Sequence, residues 1–193
     1  MVEGELSNGA RNGKGKEYNE SGDLIFEGEY LYSTIIKGKD YIKGRPEFEG
    51  DYLYNKKWNG KGYDENGNII YELINGNGKI KEYFEDGEIK FEGEYLNGKR
   101  NGKGKEYYFN KKLLFEGEYS NNKRWNGKGY DENGNIIYEL INGNGKVKEC
   151  DATGKNIFEG EYLNGVKWNG KIKCYNKMGE LSKEIEFKKG KKK

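Results

Sequence analysis

The chain has 193 residues, and its 35 Lys and Arg nearly cancel 33 Asp and Glu, leaving a net charge of +2. It contains no His, which excludes Ser-His-Asp and Cys-His catalysis and any His-liganded metal site. The charge balance gives no case for nucleic acid as a partner, and no apolar run approaches the roughly 18 residues of a membrane-spanning helix.

Gly occurs 31 times, Pro once, and aromatic residues make up 15% of the chain. Rings in this number predict a folded chain with a thin aromatic core, and the near absence of Ala argues against much helix. In chain order, an aromatic-Glu-Gly-Glu-Tyr pattern recurs. It begins weakly at Val2, then reads Phe26 to Tyr30 and Phe48 to Tyr52, with Asp51 for Glu. A weaker copy at Tyr71 precedes Phe91 to Tyr95 and Phe115 to Tyr119. Another at Tyr138 precedes Phe158 to Tyr162, and a last one starts at Lys183. Starts are 20 to 25 residues apart, and residues 58–79 and 125–146 are identical at an offset of 67. A block of three units has been duplicated.

Within one unit, Phe91, Gly93 and Tyr95 alternate with Glu92 and Glu94, which is strand period. Asn97-Gly98 and Asn101-Gly102 favour left-handed turns, and Gly104 to Tyr107 resumes an extended pattern. Second turns are signalled at Ser21-Gly22, Asn66-Gly67, Asp86-Gly87 and Asn133-Gly134. The reading is all-β: an elongated, single-layer antiparallel meander of about nine tandem β-hairpins over residues 1–187. Residues 188–193 form a basic tail expected to be disordered.

The strand glycines suggest how a thin sheet holds together. A ring can lie flat over bare glycine backbone. Gly28, Gly50, Gly93, Gly117 and Gly160 are flanked by rings, and Gly15, Gly62, Gly104 and Gly129 lie in the partner strands. In the two short units Leu73 and Ile80, and again Leu140 and Val147, replace both glycines together. This predicts that the two slots face each other.

The unit from Phe91 resembles the MORN repeat (membrane occupation and recognition nexus). Phe91, Gly93, Tyr95, Gly98, Lys99, Gly102, Gly104 and Tyr107 match its pattern in register. The unit from Phe26 departs, with Leu31 to Ile36 replacing the Asn-Gly turn, and Asn stands where the family often has His. The resemblance implies a scaffold, although such repeats also sit beside catalytic domains; here Asp and Glu follow the repeat instead of breaking it, so the chain reads as non-enzymatic, with no cofactor. Such a scaffold binds protein segments along a groove, associates with itself as a homodimer, or attaches to anionic phospholipid.

The candidate protein-binding residues are the rings of one sheet face: Tyr30, Tyr52, Phe91, Tyr95, Phe115, Tyr119 and Tyr162. Trp58, Trp125 and Trp168 each precede an Asn-Gly and follow Lys57, Arg124 and Lys167. Each reads as one extra residue at a hairpin turn. They either project together as a membrane or partner contact or fold back onto the neighbouring hairpin. Tyr32, Ile35 and Ile36, in the aberrant turn, are candidates for a specific contact. Tyr107 to Asn110 faintly resembles glycan-binding wall repeats, a third reading. Asp64 to Asn68 and Asp131 to Asn135 echo a calcium loop but lack its Gly and its final Glu, and read as turns. The Gly-Lys-Gly-Lys segments lack the remainder of a phosphate loop. Cys150 and Cys174 fall on opposite faces by parity and read as free thiols, with no metal site. No secretory signal is recognised, and the sequence assigns no compartment.

Overall fold

Left-handed turn residues set the architecture. In the computed structural model, which describes Met1 to Lys193, Asn8-Gly9 has φ of 50° and 78° and Asn97-Gly98 has 53° and 69°. Positive φ at both central positions defines the tight hairpin turn whose twist matches its strands. Eighteen strands result, all paired antiparallel, and no helix forms.

The first meander sheet runs in chain order through β1 (Val2–Ser7), β2 (Ala10–Tyr18), β3 (Leu24–Leu31), β4 (Thr34–Ile42), β5 (Arg45–Leu53), β6 (Lys56–Tyr63) and β7 (Ile69–Leu73). The second holds β8 (Gly78–Tyr83), β9 (Ile89–Leu96), β10 (Lys99–Tyr107), β11 (Leu113–Ser120), β12 (Lys123–Tyr130) and β13 (Ile136–Leu140). The third holds β14 (Gly145–Cys150), β15 (Asn156–Leu163), β16 (Val166–Tyr175), β17 (Leu181–Lys188) and β18 (Lys191–Lys192). The chain divides into two compact units, Met1–Glu88 with Glu94–Lys99, and Ile89–Gly93 with Arg100–Lys193.

Glycine meets glycine across the strands, but in two repeat units the register is shifted by two: Gly62 pairs with Phe48 and Tyr71, and Gly129 with Phe115 and Tyr138, instead of with Gly50 and Gly117. In the first unit Gly15 pairs with Gly28, Gly28 with Gly38, Gly38 with Gly50 and Gly50 with Gly60. In the second, Gly104 pairs with Gly117, Gly117 with Gly127 and Gly160 with Gly170. Rings occupy the space so left. A Cβ on Gly38 would lie 2.4 Å from Phe26 Cζ, and one on Gly62 would lie 2.0 Å from Tyr71 Cε1. On the other face the strands alternate in charge, with Lys16, Glu27, Lys39, Glu49 and Lys61 paired successively across the sheet. Opposite charges directly across contribute roughly 0.2–1 kcal/mol per pair.

Two further expectations are corrected. Leu73 and Ile80 do not face each other in a ladder, nor do Leu140 and Val147. The sheets end between β7 and β8 and between β13 and β14, where only the bridges Ile74–Asn77 and Ile141–Asn144 form. Leu73 instead pairs with Gly60, Leu140 with Gly127 and Val147 with Gly160. Each aliphatic side chain fills the space over bare backbone that a ring fills elsewhere. The C-terminal lysines, expected to be disordered, close a last hairpin. Lys188 pairs with Lys191, and the Gly190 N–H donates to Trp168 O at 2.9 Å. The lysine side chains there are exposed, so water screens their repulsion while the backbone bonds form.

Candidate interaction surface

The aromatic face is the core. Tyr30, Phe91, Phe115 and Tyr119 are at most 3% exposed and Tyr52 is 9% exposed, while Tyr95 and Tyr162 are half-buried. The rings cover one another: Phe26 meets Tyr52 edge-on at 5.8 Å, and Phe91 meets Tyr119 at 5.3 Å. Edge-to-face pairs of this kind add about 0.5–1.5 kcal/mol beyond the area they bury. A groove lined by these residues is therefore closed, and they support a surface without forming it. Tyr108 of the wall-repeat echo is also fully buried, against Leu114 and Cys150. Both cysteines are free.

A layer of cations seals the rings. Arg11 lies over Tyr30 at 4.6 Å, Lys57 over Phe48 at 4.8 Å and Arg100 over Phe91 at 4.1 Å. Arg124 lies over Phe115 at 5.0 Å and Lys167 over Phe158 at 5.1 Å. Each cation meets a carboxylate: Arg11 meets Glu17, Lys57 meets Glu47 and Asp40, Arg100 and Arg124 share Glu106, and Lys167 meets Glu149. Tyrosine hydroxyls complete the layer. Tyr71 donates to Glu47 at 2.9 Å, and Tyr138 accepts from Arg124 at 2.7 Å. Burial pushes the Tyr138 hydroxyl up to about 12, despite the opposing Arg124 charge. Burial works against the Lys57 ammonium, but Glu47 and Asp40 more than offset it and raise its pKa.

This layer changes the reading of the tryptophans. Lys57, Arg124 and Lys167 turn inward, so no Trp-cation edge exists. The extra residue in each case is real, but it lies in a β-bulge within the strand. Asp51 pairs with Asn59 and Tyr52 with Lys57, which leaves Trp58 between them. Trp125 and Trp168 are placed in the same way. All three are half-buried and fold back. Trp58 O accepts the Gly76 N–H at 2.7 Å, and a Cβ on Gly76 would lie 2.7 Å from Trp58 Cζ3. Trp125 caps Gly143 equivalently.

Sequence reasoning missed a second stitch between turns. The Asn55 side-chain oxygen accepts the Ile35 N–H at 2.6 Å, Asn59 that of Asn75 at 2.7 Å and Asn77 that of Asn97 at 2.8 Å. In the second unit Asn126 accepts from Asn142 at 2.6 Å and Asn144 from Asn164 at 3.0 Å. The signal was present, since Asn recurs at one position of nearly every unit. It was absorbed by the turn propensity of Asn-Gly. Asp64 and Asp131 likewise fold their own loops, with Asp64 accepting the N–H groups of Asn66 and Asn68 at 2.9 and 2.8 Å.

Exposed apolar residues occur along the first unit, among them Val2, Leu6, Ile69, Ile74 and Leu96, and one group gathers at two stitched turns. Tyr32 is 72% and Tyr54 80% exposed, flanked by Leu31, Ile36 and Leu53. Ile35, beside them, is half-buried. Tyr32-Ser33 and Tyr54-Asn55 hold φ of 47° and 65°, and 52° and 60°, where other hairpins carry Asn-Gly, Asn-Asn or Lys-Gly. An aromatic residue held left-handed costs of order 1 kcal/mol, and strain of this kind gathers at functional sites. Sequence comparison completes the picture. No curated protein matches the chain. A family model described as the MORN repeat matches residues 3–24, 91–111 and 115–129, and one described as a MORN repeat variant matches residues 76–97. The chain is a MORN-repeat protein, a scaffold of tandem β-hairpins.

Proposed function

We infer that the chain is a binding scaffold that docks a protein partner on the turn edge of its first unit, at Tyr32, Ile36, Leu53 and Tyr54. The observation that carries this reading is two exposed tyrosines in strained left-handed turns, joined through the Asn55 to Ile35 hydrogen bond. Tyr, Ser and Asn in adjacent turns offer large, rigid contact area at low entropic cost, with adaptable polar groups beside it. The buried rings fix the turns from beneath. The tryptophans are half-buried and cap turn glycines, which favours a part in the fold over one in lipid attachment. The exposed lysines of the last hairpin remain as the feature suited to anionic phospholipid.

Affinity purification with mass spectrometry, wild type against Tyr32→Asn/Tyr54→Asn, tests the reading. Asn is native to these turns elsewhere, so the fold is kept. Partners captured by the wild type and lost by the variant are expected. Undiminished capture by the variant overturns the assignment of this edge. Flotation with anionic vesicles and a sizing column distinguish a lipid surface or a homodimer from a separate protein.

A further inference from the structure

The first unit holds a cluster that has no counterpart in the other cation slots. Lys57 Nζ lies 3.1 Å from Asp40 Oδ2 and is also hydrogen-bonded to Glu47 Oε2. Tyr71 donates to Oε1 of Glu47 at 2.9 Å, which fixes that carboxylate with its other oxygen on the amine. Phe48 lies beneath the ammonium, and the side chains of Lys57, Asp40 and Glu47 are 24%, 28% and 8% exposed. Exposed pairs of the polar face, such as Lys171 with Glu184, are 63% and 38% exposed. Elsewhere the slot carries Arg11, Arg100 or Arg124, whose guanidinium is not an acylable amine, or Lys167, which pairs with Glu149.

We propose that Lys57 and Asp40 condense into an internal amide bond, with Glu47 relaying the protons. Nζ attacks Cγ of Asp40, a C–N bond forms, and one Cγ–O bond of the carboxylate breaks. Two protons leave Nζ and depart with that oxygen as water. An ammonium and a carboxylate, together neutral, become a neutral amide and one water, so charge balances and no oxidant or co-reactant is needed. Glu47 accepts each proton from Nζ and returns it to the Asp40 oxygen, ending in its starting state. General acid–base relays of this kind contribute typically ~10²–10⁴-fold. Fixing amine and acyl group in contact supplies effective concentrations of about 10⁵–10⁸ M in well-oriented intramolecular reactions. Burial beside Phe48 and Tyr71 limits the water that would reverse the step. Asp40, Glu47 and Lys57 lie on β4, β5 and β6, so the bond would staple the outer two strands across the middle one.

Intact-mass measurement of the denatured, purified full chain tests the proposal. The expected result is a mass lower than that of the sequence by one water, with a proteolytic fragment joining the Lys57 and Asp40 peptides. Lys57→Arg, which copies the Arg124 slot and keeps the charge, is expected to restore the full mass. Glu47→Gln is expected to slow the conversion at least tenfold. Full mass for the wild type after prolonged incubation overturns the proposal. So does a lost water that maps to Asp86-Gly87 as a cyclic imide, or one that persists in Lys57→Arg.

Discussion

If rings resting on bare backbone hold the sheets together, a single methyl group at Gly62 should be costly, and only while the ring above it is present. A Cβ at Gly62 would lie 2.0 Å from Tyr71 Cε1 and 2.1 Å from its Cζ. Ordinary contact begins near 3.4 Å, so the ring must retreat by more than an ångström. It has little freedom to do so. Tyr71 is 7% exposed, stacks on Phe48 at 6.4 Å between centroids and donates its hydroxyl to Glu47. Overpacking of this kind costs typically 1–3 kcal/mol. Against it stands roughly 0.5–1 kcal/mol gained by replacing strand Gly with Ala. A net loss of about 1 kcal/mol is expected for Gly62→Ala. In a Tyr71→Ala background the clash is gone, and the same substitution should be neutral or mildly stabilising. The cycle should therefore show a coupling of about 2 kcal/mol, well above the ~0.5 kcal/mol scatter of independent sites. Urea unfolding followed by far-ultraviolet circular dichroism reads the four stabilities. Gly129 and Tyr138 repeat the geometry at 2.0 Å and supply an independent second cycle. Equal costs for Gly62→Ala with and without the Tyr71 ring would refute the ring-on-backbone argument.

Three further outcomes follow from the same geometry. Tyr54→Asn should stabilise the fold by about 0.5–1 kcal/mol, because Asn adopts the left-handed region more readily and the exposed ring gives up little packing; a thermal melt of the variant checks this. Glu106→Gln should cost about 3–5 kcal/mol, because it leaves Arg124 buried beside Arg100 without an anion, while Glu116→Gln, in an exposed pair with Lys105, should cost under about 1 kcal/mol. Measured urea midpoints that fail to separate the two would contradict the buried role of Glu106. Burial raises the hydroxyl pKa of Tyr30, Tyr52, Tyr71, Tyr119 and Tyr162 above the ordinary 10.0, and of Tyr138 to about 12. Folded values above the unfolded one mean that this contribution is complete below pH 10.0 and is lost as pH rises through the folded values. Tyrosinate absorbance should therefore appear together with loss of sheet signal; early, non-cooperative titration of all tyrosines would contradict the burial.

The sequence by itself determined the repeat, the strand period, the tight turns at Asn-Gly and that glycine faces glycine, though not the register at Gly62 and Gly129. Each depends on neighbours a few residues apart or on the same slot in the next unit, and a regular array converts those local preferences directly into a fold. The extra residue at Trp58, Trp125 and Trp168 was legible too, but not where its ring would go. That depended on the turn glycine of the following hairpin. The inward course of Lys57, Arg124 and Lys167 was equally hidden, because a cation beside a Trp reads as an exposed edge until Phe48, Phe115 and Phe158 are placed beneath it. Only the tertiary structure decided that the tyrosine face is sealed and the turn edge open. Burial is a property of how successive hairpins stack, and a long amphipathic side chain lies over a ring or extends into water according to neighbours some twenty residues away.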